Sequence, residues 1–257
     1  MRLREVMERL NDFCPFDWQD GFDNSGLQFG SLDAECSKVL FSLDLSIEAI
    51  KEASEKKCDL IITHHPFFFK SLKQIDPTGL RGRVIKLLFD ENIAVISCHT
   101  NWDKHPKGVS FALSEALSLE NKKIMLKFGE NYGYGYVGEI SKVKLSDFIS
   151  KVKTALSLPN AKLLFGNPDA EIKKIAVLGG SGGGFIDEAK NSGADLFITG
   201  DLGYHDGQRA RELDISLLDI GHFHSEKFGM RYMIEFVSDF LPNPEMFFKP
   251  LYETYYF

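Results

Sequence analysis

The stretch DLIITHH, from Asp59 to His65, joins a short apolar run to a pair of histidines. Four successive apolar or β-branched residues are typical of a buried strand, because a half-exposed strand would alternate polar and apolar side chains. A similar β-rich run occupies residues 38–43, and a helical pattern over residues 47–57 separates the two. A strand, a helix and a second strand in this order predict a βαβ unit with a parallel sheet.

The same plan occurs again in the second half of the chain. A shift of 136 residues aligns DLIIT at residues 59–63 with DLFIT at residues 195–199. Matches of this kind, repeated in the same order, favour an internal duplication over coincidence. We therefore expect two α/β repeats, at residues 1–128 and 129–257, with no low-complexity linker between them.

Other stretches complete the predicted order of elements. An amphipathic helix is expected over residues 2–13. Residues 129–168 have the weakest secondary-structure pattern of the chain, with Gly-Tyr alternation near the start and turns around the prolines. Further buried strands are predicted at residues 92–99, 174–178 and 215–220.

Five of the seven histidines lie at or just after the ends of predicted strands: His64, His65, His99, His222 and His224. A shift of 123 residues aligns His99 with His222 and Asp103 with Glu226. Each half therefore places a carboxylate four residues after a histidine. Because ligands of open α/β sheets bind outside the carboxyl ends of the strands, we expect these side chains to converge on one crevice.

Each of these groups also has a structural explanation on its own. The paired histidines can be solvated at a strand end, Asp103 can cap a helix, and His222 can hydrogen-bond Glu226 at the i, i+4 spacing. Burying so many ionisable groups without a cation would be costly, which favours a metal site. Imidazole and carboxylate ligands without thiolate suit zinc, iron, manganese or cobalt, and the donors suffice for two ions.

The composition excludes several classes of protein. With 44% hydrophobic and 26% charged residues, the 257-residue chain has a globular profile, and its net charge of −7 disfavours general nucleic-acid binding. No apolar run reaches the roughly 18 residues of a membrane span, and the first residues lack a signal-peptide core. Four dispersed cysteines without a Cys-x-x-Cys pair predict the reduced thiols of a cytoplasmic protein.

Six motifs follow one another along the chain: DNSGLQ at residues 23–28, ITHHP at 62–66, HTNWD at 99–103, GGSG at 179–182, ITGD at 198–201, and GH with SE at 221–226. In this order they resemble the GTP cyclohydrolase I type 2 homolog family, also called YbgI-like or Nif3-like proteins. The resemblance implies two interlinked α/β repeats with mixed, mostly parallel sheets, and a toroidal homohexamer built as a trimer of dimers. Longer members carry an inserted domain, which this chain is too short to hold.

The resemblance also implies two divalent metal ions per chain, with zinc, iron or manganese as candidates. His64 and His65 match the family's paired histidines, one for each ion. Asp103 matches the first carboxylate ligand, His222 the later histidine, and Glu226 the carboxylate that can bridge the ions.

Three further histidines have open roles. His99 is the counterpart of His222 in the duplication, but the resemblance places it just outside the ligand set, as an orienting or substrate-facing group. His205 is either an acid–base or substrate-facing group or a solvated loop residue, and the role of His224 is equally open. His105, beside a proline, is expected at the surface.

The glycine run from Gly179 to Gly184 joins a predicted strand to a helix. Backbone amides of Gly180, Ser181 and Gly182 can hold an anion such as phosphate. The run is not a Walker loop, because the Lys-Ser/Thr ending is missing. Close packing of strand and turn explains the glycines equally well.

A metal-dependent hydrolase is the leading functional prediction. Paired ions can acidify water and polarise an electrophile, and the family name with the glycine run indicates a small, nucleotide-like substrate. Cyclohydrolase and phosphoesterase chemistry both stay open. The alternative is a non-catalytic metal-binding or interaction protein that acts through its ring-shaped oligomer. A ring that threads DNA is disfavoured by the net charge of −7.

Overall fold

Short strands and helices alternate along the chain in the computed structural model, which describes residues 1–251. In chain order the elements are α1 (Leu3–Phe13), β1 (Gly26–Phe29), β2 (Val39–Ser42), α2 (Ile47–Glu55), β3 (Leu60–Thr63), α3 (Leu80–Glu91), β4 (Ala94–Ser97), α4 (Thr100–Asp103), α5 (Val109–Ala116), β5 (Glu120–Lys127), β6 (Gly133–Lys144), α6 (Leu145–Ala155), β7 (Lys162–Phe165), β8 (Glu171–Ser181), α7 (Ile186–Asn191), β9 (Leu196–Gly200), α8 (Tyr204–Leu213), β10 (Ser216–Asp219), α9 (His222–Glu226), α10 (Arg231–Ser238) and β11 (Glu245–Phe247). Within residues 1–251, no helix combines the length and apolarity needed to cross a membrane.

The elements form two compact units. The first comprises Met1–Trp102 together with the described residues from Met233, and the second comprises Asp103–Tyr232. Compact units and sequence repeats are different divisions of the chain. The boundary between the two repeats, at residues 128 and 129, therefore stays a prediction.

Each unit contains one mixed sheet. In the first unit the strand order is β1-β4-β3-β2-β11, in which β1 is antiparallel to β4 and the other pairs are parallel. In the second unit the order is β5-β6-β8-β9-β10-β7, in which β8, β9 and β10 are mutually parallel and the other pairs are antiparallel. This confirms the predicted α/β fold with mixed, mostly parallel sheets.

The central strands are buried along their whole length. Every residue of β2, β3, β4 and β9 is buried, which explains why these strands are continuous apolar runs rather than alternating ones. The helix α1 instead buries Leu3, Val6 and Leu10, at helical spacing. Continuous apolar runs therefore mark the buried strands, and helical spacing of apolar residues marks α1, as the sequence predicts.

Matching hydrogen bonds support the duplication. Asp59 accepts hydrogen bonds from the backbone N–H groups of Ser37 and Lys38. Asp195 accepts the same pair of bonds from the residues 136 positions after those two, at 173 and 174. The aspartates that begin DLIIT and DLFIT thus make the same contact with the backbone of the neighbouring strand, just before β2 in the first half and within β8 in the second.

The two halves differ by one residue before their equivalent histidines. When β3 and β9 are aligned, Ala94 of β4 falls on Ser216 of β10, an offset of 122 residues. His99 and His222, which follow these strands, are 123 residues apart. The extra residue lies in the turn where Gly221 adopts a φ of 77°, a conformation that favours glycine.

Residues 129–168 are more regular than their sequence pattern predicts, since they contain β6, α6 and β7. The Gly-Tyr alternation is part of β6, in which Tyr134 and Tyr136 are buried and Gly135 has a φ of 67°. A Cβ at Gly133 would collide with the carbonyl oxygen of Leu126 in β5. The glycines therefore allow close approach of neighbouring strands rather than forming a turn.

All four cysteines are buried and none forms a disulfide. Burial is the main cause that raises the pKa of the Cys98 thiol to about 12 and that of Cys58 to about 11. A raised thiol pKa stabilises the neutral form in the folded state. This contribution to stability is complete below the unfolded pKa of about 8.5 and is lost as the pH rises through about 11 to 12.

We expect Ellman's reagent at pH 8 to label none of the four thiols in the native protein and all four after unfolding in urea. Burial excludes the reagent from all four thiols, and the raised pKa values of Cys36, Cys58 and Cys98 leave little thiolate to react. The measurement is the absorbance released with time. Rapid release from the native protein would contradict the burial described here.

Candidate metal centre

Three histidines come together in the first unit. His64 and His65 directly follow β3, and His99 follows β4 after a single intervening residue. Because β3 and β4 are parallel neighbours, their carboxyl ends lie side by side. One ring nitrogen from each histidine lies within 4.8 Å of the other two. The fold thus gathers His99 with the paired histidines.

The Nδ1 atom of each of these imidazoles has a hydrogen-bond acceptor. His64 Nδ1 lies 2.8 Å from the carbonyl oxygen of Cys98, and His65 Nδ1 lies 2.9 Å from Asp44 Oδ1. A carbonyl or carboxylate oxygen can only accept, so Nδ1 carries the proton and Nε2 carries the lone pair of the neutral ring. A group of Nε2 donors fits zinc, iron or manganese.

Asp23 holds the third imidazole. Its Oδ1 lies 2.7 Å from Nδ1 of His99, and its Oδ2 accepts hydrogen bonds from the hydroxyl of Ser25 and the backbone N–H of Thr100. Burial alone would raise the pKa of this carboxyl. The hydrogen bonds from His99, Thr100 and Asn24 and the electrostatic interaction with the His99 imidazole outweigh burial and hold the pKa of Asp23 well below its usual range. Asp23 is therefore a permanent acceptor for His99.

The second unit contains a histidine held between two carboxylates. His222 begins α9, its Nδ1 lies 2.7 Å from Asp201 Oδ2, and its Nε2 lies 3.1 Å from Glu226 Oε1. Burial lowers the pKa of His222, but the hydrogen bonds and charges of Glu226 and Asp201 outweigh it and raise the pKa to about 9. The Nε2–H proton bridges the imidazole and the carboxylate, which are donors of the kind that a divalent cation prefers.

Gly180 leaves room for the carboxylate of Glu226. A Cβ at Gly180 would lie 2.5 Å from Glu226 Oε1, and the φ of 75° disfavours other residues. The backbone N–H groups of Gly180 and Gly182 donate to the hydroxyl of Ser225 and the carbonyl of Gly200. Close packing therefore accounts for these glycines, and anion binding by Gly180, Ser181 and Gly182 stays a prediction.

The other predicted residues have more varied surroundings. Asp103 is half-buried at the end of α4, and its role as a ligand stays a prediction. His205 is exposed at the start of α8, with Nδ1 3.5 Å from Gln208 Oε1. Burial and the charge of Lys227 lower the pKa of His224.

His105 corrects an expectation, because it is buried with 6% of its surface exposed and not at the surface. Its Nδ1 accepts a hydrogen bond from the backbone N–H of Lys107. The turn after α4 folds this ring inward, so the neighbouring proline was a poor guide to exposure.

The sequence did not pair any histidine with the three aspartates that orient imidazoles: Asp23, Asp44 and Asp201. Asp23 and Asp201 lie within the DNSGLQ and ITGD motifs, which was the available signal. Asp44 lies two residues beyond β2 and has no such motif. Acceptors of this kind fix the ring orientation and basicity of metal-binding histidines.

We expect Asp201→Asn to weaken divalent-metal binding by about 10- to 100-fold, because the neutral amide orients the His222 ring less strongly. The measurement is competition with a chromophoric chelator. Asp187→Asn is the matched control, since Asp187 pairs with Arg209 on the exposed face of the same unit. Equal affinities for both variants and the parent protein would show that Asp201 does not act through His222.

Comparison with known proteins gives a consistent result. The family described as Duf34/NIF3 (NGG1p interacting factor 3) matches residues 1–252. A Clostridium perfringens protein named GTP cyclohydrolase 1 type 2 homolog is 38% identical over 229 residues, which cover 88% of this chain and 87% of that protein. A Helicobacter pylori protein named GTP cyclohydrolase 1 type 2 is 35% identical over 253 residues, which cover 97% and 98%.

Solved structures share the fold. Reduced HcgD from Methanocaldococcus jannaschii is similar with a TM-score of 0.81 at 32% identity, covering 96% of this chain and 97% of that one. A Staphylococcus aureus protein is similar with a TM-score of 0.92 at 28% identity, covering 100% and 99%. These similarities confirm the family resemblance found in the sequence motifs.

Proposed function

The chain belongs to the Duf34/NIF3 family, and from this premise we propose that it is a metal-dependent hydrolase with two divalent ions per chain. The observation that carries the proposal is the common orientation of four imidazoles. His64, His65, His99 and His222 each direct Nδ1–H to a carbonyl or carboxylate oxygen. Solvated histidines at strand ends would not need four separate acceptors.

The proposed ligands are the five residues that the sequence indicates: His64, His65, Asp103, His222 and Glu226. His99 adds a further nitrogen donor, or faces the substrate, from within the histidine group of the first unit. The two ligand carboxylates balance half the charge of two divalent ions. Open coordination positions on such ions accept anionic oxygen ligands, such as those of a phosphate.

Divalent ions, when bound, supply Lewis acidity that acidifies water and polarises an electrophile. The residues of the chain keep the donors in place for this chemistry. Asp23, Asp44 and Asp201 hold the proton on Nδ1 of three imidazoles. Five protein ligands for two ions leave coordination positions for water and substrate, which favours a catalytic site over a closed structural one.

A nucleotide or a related small molecule is the proposed substrate. This step rests on the names of the Clostridium and Helicobacter relatives, and is an analogy at the level of the family. By the same resemblance we propose a toroidal homohexamer. The four buried cysteines, none of which forms a disulfide, support a reducing, cytoplasmic location.

The test is a substrate screen of the metal-loaded protein against nucleotides, modified nucleotides and phosphoesters. We expect a chelator to abolish turnover and added manganese or zinc to restore it. Glu226→Gln, which keeps the side-chain shape and removes the charge, is the matched inactive variant. Turnover that survives complete metal removal would reject the proposal. Bound metal without turnover of any compound would favour the alternative, a non-catalytic metal-binding or interaction protein acting through its oligomer.

A further inference from the structure

Two large apolar side chains are exposed beside the histidine group of the first unit. Phe22 is 65% exposed and Phe69 is 43% exposed, and their ring centroids lie 6.1 Å apart at 64°. The ring of Phe69 also lies edge-on to the imidazole of His99, with centroids 6.1 Å apart. Exposed aromatic pairs at a polar site indicate a surface that contacts a ligand, since burying them against one recovers free energy.

Hydrogen bonds fix the segments that carry the two rings. Asn24 Nδ2 donates to the carbonyl of Phe68 at 2.9 Å, which ties the residues after Phe22 to the residue before Phe69. The N–H of Phe68 donates to Gln28 Oε1 at 3.2 Å. The rings are therefore attached to the same framework through which Asp23 orients His99. A preorganised pair of this kind loses little freedom on binding.

The loop that carries Phe69 has a small excess of positive charge. Between β3 and α3, residues 66–79 read PFFFKSLKQIDPTG, with Lys70, Lys73 and one acidic residue, Asp76, in a chain whose net charge is −7. Both lysine side chains are exposed. Lys70 directly follows Phe69 and Lys73 lies three residues further on, so one short loop carries exposed aromatic surface and positive charge. This combination matches a ligand that has an aromatic ring and phosphate groups.

We propose that Phe22 and Phe69 form the subsite for the planar base of a nucleotide, with Lys70 and Lys73 facing its phosphate. This rests on the proposed function and narrows it. A base against Phe69 is placed beside His99, so the base rather than the phosphate lies next to the histidine group. The arrangement therefore favours hydrolysis at the base, as in a cyclohydrolase, over phosphoester hydrolysis.

The test compares two ligands that differ only in the base. Calorimetric titration of the manganese-loaded protein with guanosine 5′-monophosphate and with ribose 5-phosphate separates base binding from phosphate binding. We expect Phe22→Ala/Phe69→Ala to lose about tenfold or more in affinity for the nucleotide, the scale of one base–aromatic stack, and none for the sugar phosphate. Metal content and melting temperature should match those of the parent protein.

Phe89→Ala is the matched control. Phe89 is 70% exposed and lies edge-on to Phe29 at 4.7 Å, but it belongs to the last turn of α3, before β4 begins, whereas His99 follows the other end of β4. Its removal should leave both affinities unchanged.

Four results would overturn the base subsite. The first is equal affinity of the parent protein for the two ligands, and the second is no binding of either ligand. The third is unchanged nucleotide affinity in the double variant. The fourth is a smaller oligomer for the double variant in gel filtration with light scattering, which would place the rings in a contact between copies. Metal content separates the two proposals, because a parent protein that retains no metal refutes the metal-dependent function itself.

Discussion

Replacing His64 by asparagine is expected to weaken divalent-metal binding by more than about 100-fold. This loss exceeds the one expected for Asp201→Asn, because His64 is itself a proposed ligand and Asp201 only orients one. The asparagine amide can take the place of Nδ1 and keep the hydrogen bond to Cys98, but it has no counterpart of Nε2. His64 is fully buried, so water has no free access to the position of its Nε2 atom and cannot substitute for this ligand. The measurement is metal per chain by mass spectrometry after gel filtration.

His205→Asn is the matched control for that experiment, because His205 is an exposed histidine outside the three-histidine group. It should keep the full metal content. His64→Ala should also lose metal, with an added cost in stability of about 1–3 kcal/mol, since the Cys98 carbonyl is left without its donor. A folded His64→Asn protein with the metal content of the parent would remove His64 from the ligand set.

Replacing Gly200 by alanine is expected to lower the free energy of unfolding by about 1–3 kcal/mol. A Cβ at this position would lie 2.8 Å from the backbone nitrogen of His222 and 2.8 Å from the carbonyl carbon of Gly221. These atoms form the start of α9, and backbone cannot move aside as the end of a flexible side chain can. The measurement is urea-induced unfolding of the metal-free protein, followed by circular dichroism.

Gly184→Ala is the control for this substitution, because a Cβ there would meet no atom within 4 Å. Its effect should stay within about 0.5 kcal/mol. Gly180→Ala should differ in kind, since its Cβ would press on the carboxylate of Glu226 and should reduce metal affinity more than stability. Equal stability of the Gly200 and Gly184 variants would contradict the packing around α9.

Several features of the fold were predictable because they depend on local patterns. The apolar runs at Leu60–Thr63 and Leu196–Gly200 are buried strands in parallel sheets, as their lack of alternation indicated. The repeated DLIIT and DLFIT stretches have the same hydrogen bonds from their aspartates. Residues 129–168 were not predictable in this way, because glycines are rare in strands, and those of β6 are there to allow close contact with β5.

The candidate site shows the same division. Histidines at strand ends could be expected to cluster, since parallel strands bring their carboxyl ends to one edge, and His64, His65 and His99 do so. The prediction that His105 lies at the surface was wrong, because the burial of a turn residue depends on how the turn packs. The acceptors Asp44 and Asp201 could not be assigned in advance, since each reaches its histidine across 21 residues of sequence.

The order of residues by itself determined the buried strands outside residues 129–168, the matching DLIIT and DLFIT stretches and the histidines at the strand ends, because periodicity and spacing act over neighbouring positions. Only the tertiary structure decided which imidazole nitrogen carries the proton, why Gly180 must lack a side chain, and which aromatic rings stay exposed beside His99. Hydrogen-bond partners, free space and exposure are properties of atoms brought together by folding, and no local pattern encodes them.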